Sequence, residues 1–284
     1  MRFTKVESVG NDYVLLDAVA DPALASLDDL PQYAQVLSHR RTGVGADGLL
    51  ILSRDTDGLL AMRVINADGS EGGVCANGLR CAVRLAIERG HAAVSGREPI
   101  VVRLGGREMV ATPNVEAGVF RSVSVDMGPP KFGAKDVPID PGHAERIGGD
   151  RWRVDWHELA CASMGNPHAV LFDRDPDDLD RIGPALEHHP AFPERTNVHT
   201  ARVTACNALR VDSWERGSGR THACGSGVCA VVACAVRAGT VDGPCTVSLP
   251  GGSLLCAWSG DDAQGVILEG PARIVYEGQW GGGA

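Results

Sequence analysis

Hydrophobic positions along this chain fall into many short runs rather than a few long ones. Leu49–Leu52, Ala61–Ile65, Ile100–Leu104, Met109–Thr112 and Ser122–Val125 read as β-strands, each bounded by polar or turn-forming residues. Leu209–Val211, Thr246–Leu249, Leu254–Ala257 and Val266–Leu268 read the same way. Two stretches break this rhythm, CANGLRCAVRLAIERG from Cys75 and CGSGVCAVVACAVRAG from Cys224. Each is dense in Ala, Val and Leu, ends on an Arg and has a Gly just beyond, which predicts a helix with a basic last turn and a glycine cap. A helix apolar nearly all round has to be enclosed by protein. The pattern therefore predicts strands gathered around two buried helices.

The two helical stretches belong to a longer internal repeat. GNDYVLLD begins at Gly10 and GNPHAVLFD at Gly165, each a Gly-Asn, a short interruption, an apolar run and an Asp. The first lies 65 residues before Cys75 and the second 59 before Cys224, and each C-x-x-G closes on a glycine fifteen residues after its cysteine. Order and spacing agree, so the chain reads as two related halves with a boundary between Phe120 and Lys131. The expected division is 1–121 plus 271–284 for the half carrying Cys75, and 122–270 for the half carrying Cys224.

Composition narrows the functional classes. At 284 residues, with 44% hydrophobic and 22% charged positions, the chain has the profile of an ordinary two-domain globular protein. A net charge of -9 argues against nucleic acid or an anionic membrane surface as a partner. The N-terminus MRFTKVESVGND lacks the apolar core of a secretory signal, so a cytoplasmic location is expected. Nine cysteines cannot all pair, and no C-x-x-C occurs, so neither a disulfide framework nor a structural zinc knuckle is expected. Cys81, Cys161, Cys206, Cys229, Cys234, Cys245 and Cys256 read as packing residues.

Cys75 and Cys224 differ because each stands at a helix start among glycines. Free backbone N–H groups and the positive end of the helix dipole favour a thiolate there and leave room for a bound anion. Inverting a carbon that carries a proton needs a base on one face and an acid on the other, and the reverse reaction exchanges the roles. Two repeat-related thiols meet that requirement, titrating as a coupled pair, with the helix starts steadying the charge that develops on an α-carboxylate. No lysine sits in a pyridoxal-phosphate context, so no cofactor is expected. The GVGADG at Gly43 imitates a dinucleotide fingerprint, but a strand-like LLIL follows it, which argues against nucleotide binding. DRDPDDLDR and His188–His189 read as solvated surface or loop.

The sequence resembles the diaminopimelate epimerase family. GNDYVLLD, TGVGADGLLIL, NADGSEGGVCANGLRC, MGNPHAVLF, FPERTNV and ERGSGRTHACGSGVCA carry the resemblance, in family order, from Met1 to about residue 235. It implies an α+β fold of two similar domains related by pseudo-two-fold symmetry, each a strand-rich barrel-like sheet around a central helix. It also implies interconversion of LL- and meso-diaminopimelate for lysine and peptidoglycan synthesis, without cofactor or metal, in a cytoplasmic enzyme for which a homodimer would fit.

Carried over by position, Cys75 and Cys224 are the acid/base pair. Ala76, Asn77, Gly225 and Ser226 supply backbone donors to the reacting carboxylate, and Asn11 touches substrate. Asn66, Asn166, Asn197, Glu215 and Arg216 read the distal amino-acid end, a set that suits a carboxylate and an ammonium. His168 and Glu215 tune the cysteines.

Some positions depart from the family pattern. Arg220 stands where Glu is commoner and His222 is unusual. Ala76 replaces a commoner Gly and Ser226 a commoner Thr, while Gly48 stands where some members have a substrate-touching Gln. A cation four residues before Cys224 leads to the expectation that Cys224 is the more acidic thiol. A racemase of another amino acid, or a binding protein that has lost the chemistry, would share the fold. The distal set argues against the first and the two retained cysteines against the second.

Overall fold

In a computed structural model that describes residues 1–94 and 96–282, the chain forms two compact units, residues 1–125 with 269–284 and residues 126–268. The first unit contains β1 (Arg2–Ser8), β2 (Asn11–Asp17), β3 (Gly48–Arg54), β4 (Leu60–Asn66), β5 (Ile100–Leu104), β6 (Arg107–Glu116) and β7 (Val119–Asp126). β1 pairs antiparallel with β2, β2 lies parallel to β3, and β3 is antiparallel to β4. β4 lies parallel to β5, and β5, β6 and β7 follow as an antiparallel meander. α1 (Leu30–Ser38) connects β2 to β3 and α2 (Ala76–Glu88) connects β4 to β5. These crossovers make the two parallel pairings possible.

The second unit repeats the plan. β8 (Glu145–Gly148), β9 (Arg151–Val154) and β10 (His157–Ser163) lead to β11 (Pro167–Phe172), which lies parallel to β12 (Asn197–Ala205) across α3 (Leu179–Glu187). β13 (Ala208–Glu215) pairs antiparallel with β12 and with the short β14 (Gly219–Thr221). α4 (Gly225–Arg237) then crosses to β15 (Cys245–Leu249), parallel to β13, and β16 (Gly252–Ala257) closes the hairpin. After β17 (Ile267–Gly270), the last strand β18 (Arg273–Gln279) returns to pair with β1. All nine strand-like runs fall on strands, with Val266 one residue before β17, and the apolar runs of the repeat form β2 and β11.

Each unit encloses one helix. α2 packs against β1, β2, β3, β4, β6 and β18, and α4 against β10, β11, β12, β13 and β16. From Val228 to Ala235 the α4 side chains are buried without interruption. Each fully enclosed Val is worth roughly 1.5–3 kcal/mol relative to exposure. Both helices stop as the sequence predicts, with Gly90 (φ 70°) and Gly239 (φ 68°) in the left-handed region just past the last turn. α2 is less uniform than its sequence suggests, because Arg80 is fully buried within it.

α1 and α3 were not legible as helices. α1 is short and starts from Asp29, whose side chain accepts from Gln32 N. The acidic run read as loop is the entry to α3: Asp175 caps a 3-10 turn at Pro176–Asp178, and Asp180 sits in the first turn of the helix, where negative charge suits the dipole. His188 caps the other end of α3. GVGADG closes the end of α1, where Val44 N and Gly45 N both donate to Leu37 O. A Cβ on Gly43 would collide with Val36 O. β3 follows this turn, as the LLIL run predicts. Among the described residues no helix is long and apolar enough to cross a membrane.

No disulfide joins any of the nine cysteines, all of which are among the described residues. Cys206 is exposed, unlike the packing role expected of it, and the other six expected core thiols are buried. Burial pushes the thiols of Cys81, Cys161 and Cys256 up, and that of Cys234 to about 12. It also pushes two enclosed histidines down, His168 well below its ordinary value and His199 to about 3. The unfolded thiols ionise near pH 8.5, so stability is full below that value and lost as pH rises through the folded values. The unfolded histidines take up protons near pH 6.5, so their contribution is full above that value and lost as pH falls towards the folded values. Each such group changes stability by about 1.4 kcal/mol per pH unit inside its window. Urea midpoints with reductant present should therefore be highest near pH 7.5 and lower at both 5.5 and 9.5. A monotonic trend would contradict this.

Candidate active site

In the first unit Cys75 is the residue before α2, in extended conformation (φ -121°, ψ 98°). Its Sγ accepts the N–H of Gly78 at 3.3 Å, while Leu79 N donates to the Cys75 carbonyl. The sulfur thus takes the place of an oxygen N-cap, held among the first-turn donors that have no intrahelical partner. Tyr13 Oη lies 3.2 Å from the same sulfur. Burial, and then the charge on Cys75, push the Tyr13 phenol well above its ordinary value, so it is a neutral hydroxyl beside the thiol.

Asn11 and Asn77 form a pair here. Asn77 Nδ2 donates to Asn11 Oδ1 at 2.5 Å, and Asn77 Oδ1 accepts from the buried Arg80, which also donates to Ser8 Oγ. Asn11 in turn donates to Asp47 (3.2 Å), and Asp47 and Asp12 share Arg40 at 2.7 Å each. Burial alone would raise the Asp12 carboxyl, but hydrogen bonds from Arg40 and Lys5 outweigh it and hold the group below its ordinary value. Asn66 ends β4, exposed, with its amide on Ser70 Oγ at 2.9 Å. Gly48 faces Asn66 across β3 and β4, and a Cβ there would lie 2.6 Å from Ile65 O. A side chain at 48 would therefore require the strands to separate.

In the second unit Cys224 holds the matching position before α4 (φ -117°, ψ 106°), its Sγ accepting Gly227 N at 3.3 Å. Ser226 Oγ is 3.7 Å away. Unlike Cys75, Cys224 is buried. Burial first, and the Glu215 carboxylate second, push its thiol well above the ordinary value against the opposing bonds from Ser226 and Gly227. Arg220 does not reverse this. Its guanidinium engages Asp180 at 3.1 Å and the buried Asp212 at 3.3 Å. The cation on which the expectation of a more acidic Cys224 rests is thus directed to two carboxylates, while burial acts on the thiol in the opposite sense. His222 is exposed, and its carbonyl accepts from Gly251 N.

His168 is enclosed and belongs to a chain of four side chains. Its Nε2 meets Asn166 Oδ1 at 2.9 Å and its Nδ1 meets His199 Nε2 at 2.9 Å, while His199 Nδ1 meets Ser213 Oγ at 2.8 Å. With Asn166 accepting, His168 carries its proton on Nε2, His199 donates from Nε2, and Ser213 donates to His199 Nδ1. Both imidazoles are neutral, His168 because of burial, His199 and the nearby Arg216. Asn197, also buried, donates to Pro167 O (2.8 Å) and accepts from Arg216 N (3.0 Å), tying the Glu215–Arg216 turn to β11. Arg216 donates to Glu194 O at 2.9 Å. Buried Glu187 anchors the same turn through Trp214 Nε1 (2.7 Å) and Gly217 N (2.8 Å).

The first unit thus gathers Cys75, Asn11, Ala76 and Asn77, with Asn66 nearby at the end of β4. The second gathers Cys224, Gly225, Ser226, Asn166, His168, Asn197, Glu215 and Arg216. Sequence reasoning missed Tyr13, Arg80, Asp47, His199 and Ser213. Only Tyr13 had an available signal, because it occupies the position of His168 in the repeat.

The profile of the diaminopimelate epimerase family matches residues 3–133 and 160–275. A diaminopimelate epimerase from Azotobacter vinelandii is 40% identical, with 98% of each chain covered. One from Desulfitobacterium hafniense is 39% identical over 98% of this chain and 97% of that one. The fold is also that of a phenazine biosynthesis protein of the PhzF family from Bacillus anthracis (TM-score 0.69, 12% identity, 98% and 97% covered). A probable proline racemase from Agrobacterium radiobacter shares it too (TM-score 0.66, 14% identity, 98% and 92% covered). The chain belongs to the diaminopimelate epimerase family and is an epimerase.

Proposed function

We propose that this protein interconverts LL- and meso-diaminopimelate by proton transfer between two thiols, without a cofactor, in the supply of lysine and peptidoglycan precursors. The observation that carries the reading is the repeated pair of cysteines, each fixed before an enclosed helix by a hydrogen bond from the backbone three residues on. Burial and Glu215 keep Cys224 a neutral thiol, which suits the proton donor. Cys75 is then the base that removes the α-proton, and the reverse reaction exchanges the two roles.

The N–H groups of Ala76, Asn77, Gly225 and Ser226 hold the reacting carboxylate and stabilise the negative charge that develops as the α-proton leaves. Asn11 is the further substrate contact, kept in place by Asn77 and Asp47. Asn66, Asn166, Asn197, Glu215 and Arg216 read the distal end, with the Arg guanidinium suited to its carboxylate. His168 and Glu215 set the charge state of Cys224. A cytoplasmic homodimer belongs to the same reading.

Assay in deuterated water tests the proposal. LL-Diaminopimelate should gain α-deuterium and the meso form, while proline and hydroxyproline should not exchange. Exchange of proline but not diaminopimelate would overturn the substrate assignment. Cys75→Ala and Cys224→Ala should each lower inversion by at least roughly 10²–10⁴-fold, the usual worth of a positioned acid or base. Near-wild-type turnover in either variant removes that residue from the mechanism. Alkylation of Cys224 by iodoacetamide, followed by mass spectrometry, should still be accelerating past about pH 8.5, the ordinary thiol value. A plateau below pH 8 would contradict the raised thiol.

A further inference from the structure

The two units place different groups around the same cysteine. Tyr13 and His168 occupy equivalent positions in the repeat, on β2 and β11, and pair with Gly48 and Asn197 on the parallel neighbours. Two residues further along those neighbours stand Leu50 and His199. A Cβ on Gly78 would touch Leu50 at 3.1 Å and Cys75 Sγ at 3.3 Å. A Cβ on Gly227 would collide with the His199 ring, 2.8 Å from its Nε2, and lie 3.0 Å from Cys224 Sγ. The first unit thus surrounds its thiol with a phenol and a leucine, the second with two imidazoles. One ligand atom each from His168, His199 and Cys224 lie within 4.8 Å of one another, all three residues buried.

We propose that His168, His199 and Cys224 form a binding site for a borderline-soft divalent cation such as Zn2+, and that filling it inhibits the enzyme by occupying the Cys224 sulfur. Two imidazole nitrogens and a thiolate match the ligand preference of Zn2+ and Co2+. Both imidazoles are neutral, as ligation requires. The Cys224 thiolate and the Glu215 carboxylate beside it offset the two positive charges of the ion, with Arg216 the opposing cation near His168.

Cys224 loses its thiol proton to solvent as the S–Zn bond forms. The His199 proton moves from Nε2 to Nδ1, where the rotated Ser213 hydroxyl accepts it, and His168 keeps its Nε2 proton on Asn166. One proton leaves per ion bound, so affinity should rise about tenfold per pH unit below the thiol pKa. The zinc-knuckle spacing absent from the sequence has no bearing here, because the ligands come from β11, β12 and the residue before α4.

Co2+ added to the reduced full-length protein is the probe. One equivalent should produce a thiolate-to-cobalt charge-transfer band in the near ultraviolet, displaced by Zn2+. Cys75→Ser should keep the band. Cys224→Ser and His199→Leu, the latter copying Leu50 of the first unit, should lose it and bind at least ~100-fold more weakly, since even an outer hydrogen-bond partner of a ligand is worth roughly 10–100-fold. Circular dichroism checks that the variants fold, and the near-isosteric Cys224→Ser decides alone if His199→Leu does not. No band, a band surviving Cys224→Ser, or a band lost in Cys75→Ser overturns the proposal. The inhibition arm rests on the epimerase reading: Zn2+ should suppress inversion and a chelator restore it, and full inversion with the site filled overturns that arm. A Cys224-dependent band in protein that inverts no diaminopimelate would leave the metal site standing while removing the functional reading.

Discussion

One backbone hydrogen bond, made twice, organises this protein. In each unit the N–H of the third helical residue points at a cysteine sulfur 3.3 Å away instead of at a serine or aspartate oxygen. That geometry requires an extended cysteine, a helix that starts immediately after it and a glycine where the sulfur comes close. Enclosing the helix in strands follows from its apolar surface. The enclosing strands, in turn, deliver β2 and β11 side chains to the sulfur. A thiol fixed in this way keeps one orientation and stands beside first-turn N–H groups that can receive a carboxylate, so positioning and anion binding come from the same few atoms.

The repeat sets where groups go but not what they are. At equivalent positions the first unit has Tyr13 and Leu50 and the second His168 and His199. A buried phenol offers one hydroxyl to Cys75. The imidazoles form a directed chain ending on Ser213. Cys75 is partly open and Cys224 is buried beside a carboxylate. Two sites built on one plan therefore differ in burial and in neighbouring charge. The same divergence brings two imidazoles and a thiol together in the second unit.

Charge near a site acts through its nearest partner rather than its distance along the chain. Arg220 is four residues from Cys224 in sequence, yet β14 directs its side chain to Asp212 and Asp180, which neutralise it. Glu215 is nine residues away and acts on the thiol directly. In the first unit Asp12 shows the converse, its burial outweighed by Arg40 and Lys5. These networks hold Asn11 through Asp47, so charged neighbours rather than Asn11 alone determine how its amide is presented.

By itself the sequence determined the repeat, the strands that carry continuous apolar runs, the two enclosed helices with their glycine ends, and Cys75 and Cys224 at the helix starts. All of these rest on local information: hydrophobic period, capping chemistry and spacing. α1 and α3 were hidden because each is nine residues long and one opens on an acidic run whose charges favour a helix start as well as a solvated loop. Only the tertiary structure decided that Tyr13 meets Cys75, that His199 is hydrogen-bonded to His168 beside Cys224, that Arg80 is buried on Ser8 and Asn77, and that Arg220 pairs with Asp212 and Asp180. Each of those depends on parallel strand register and on which long side chain finds an acceptor first. Neither is written in the spacing of residues along one segment.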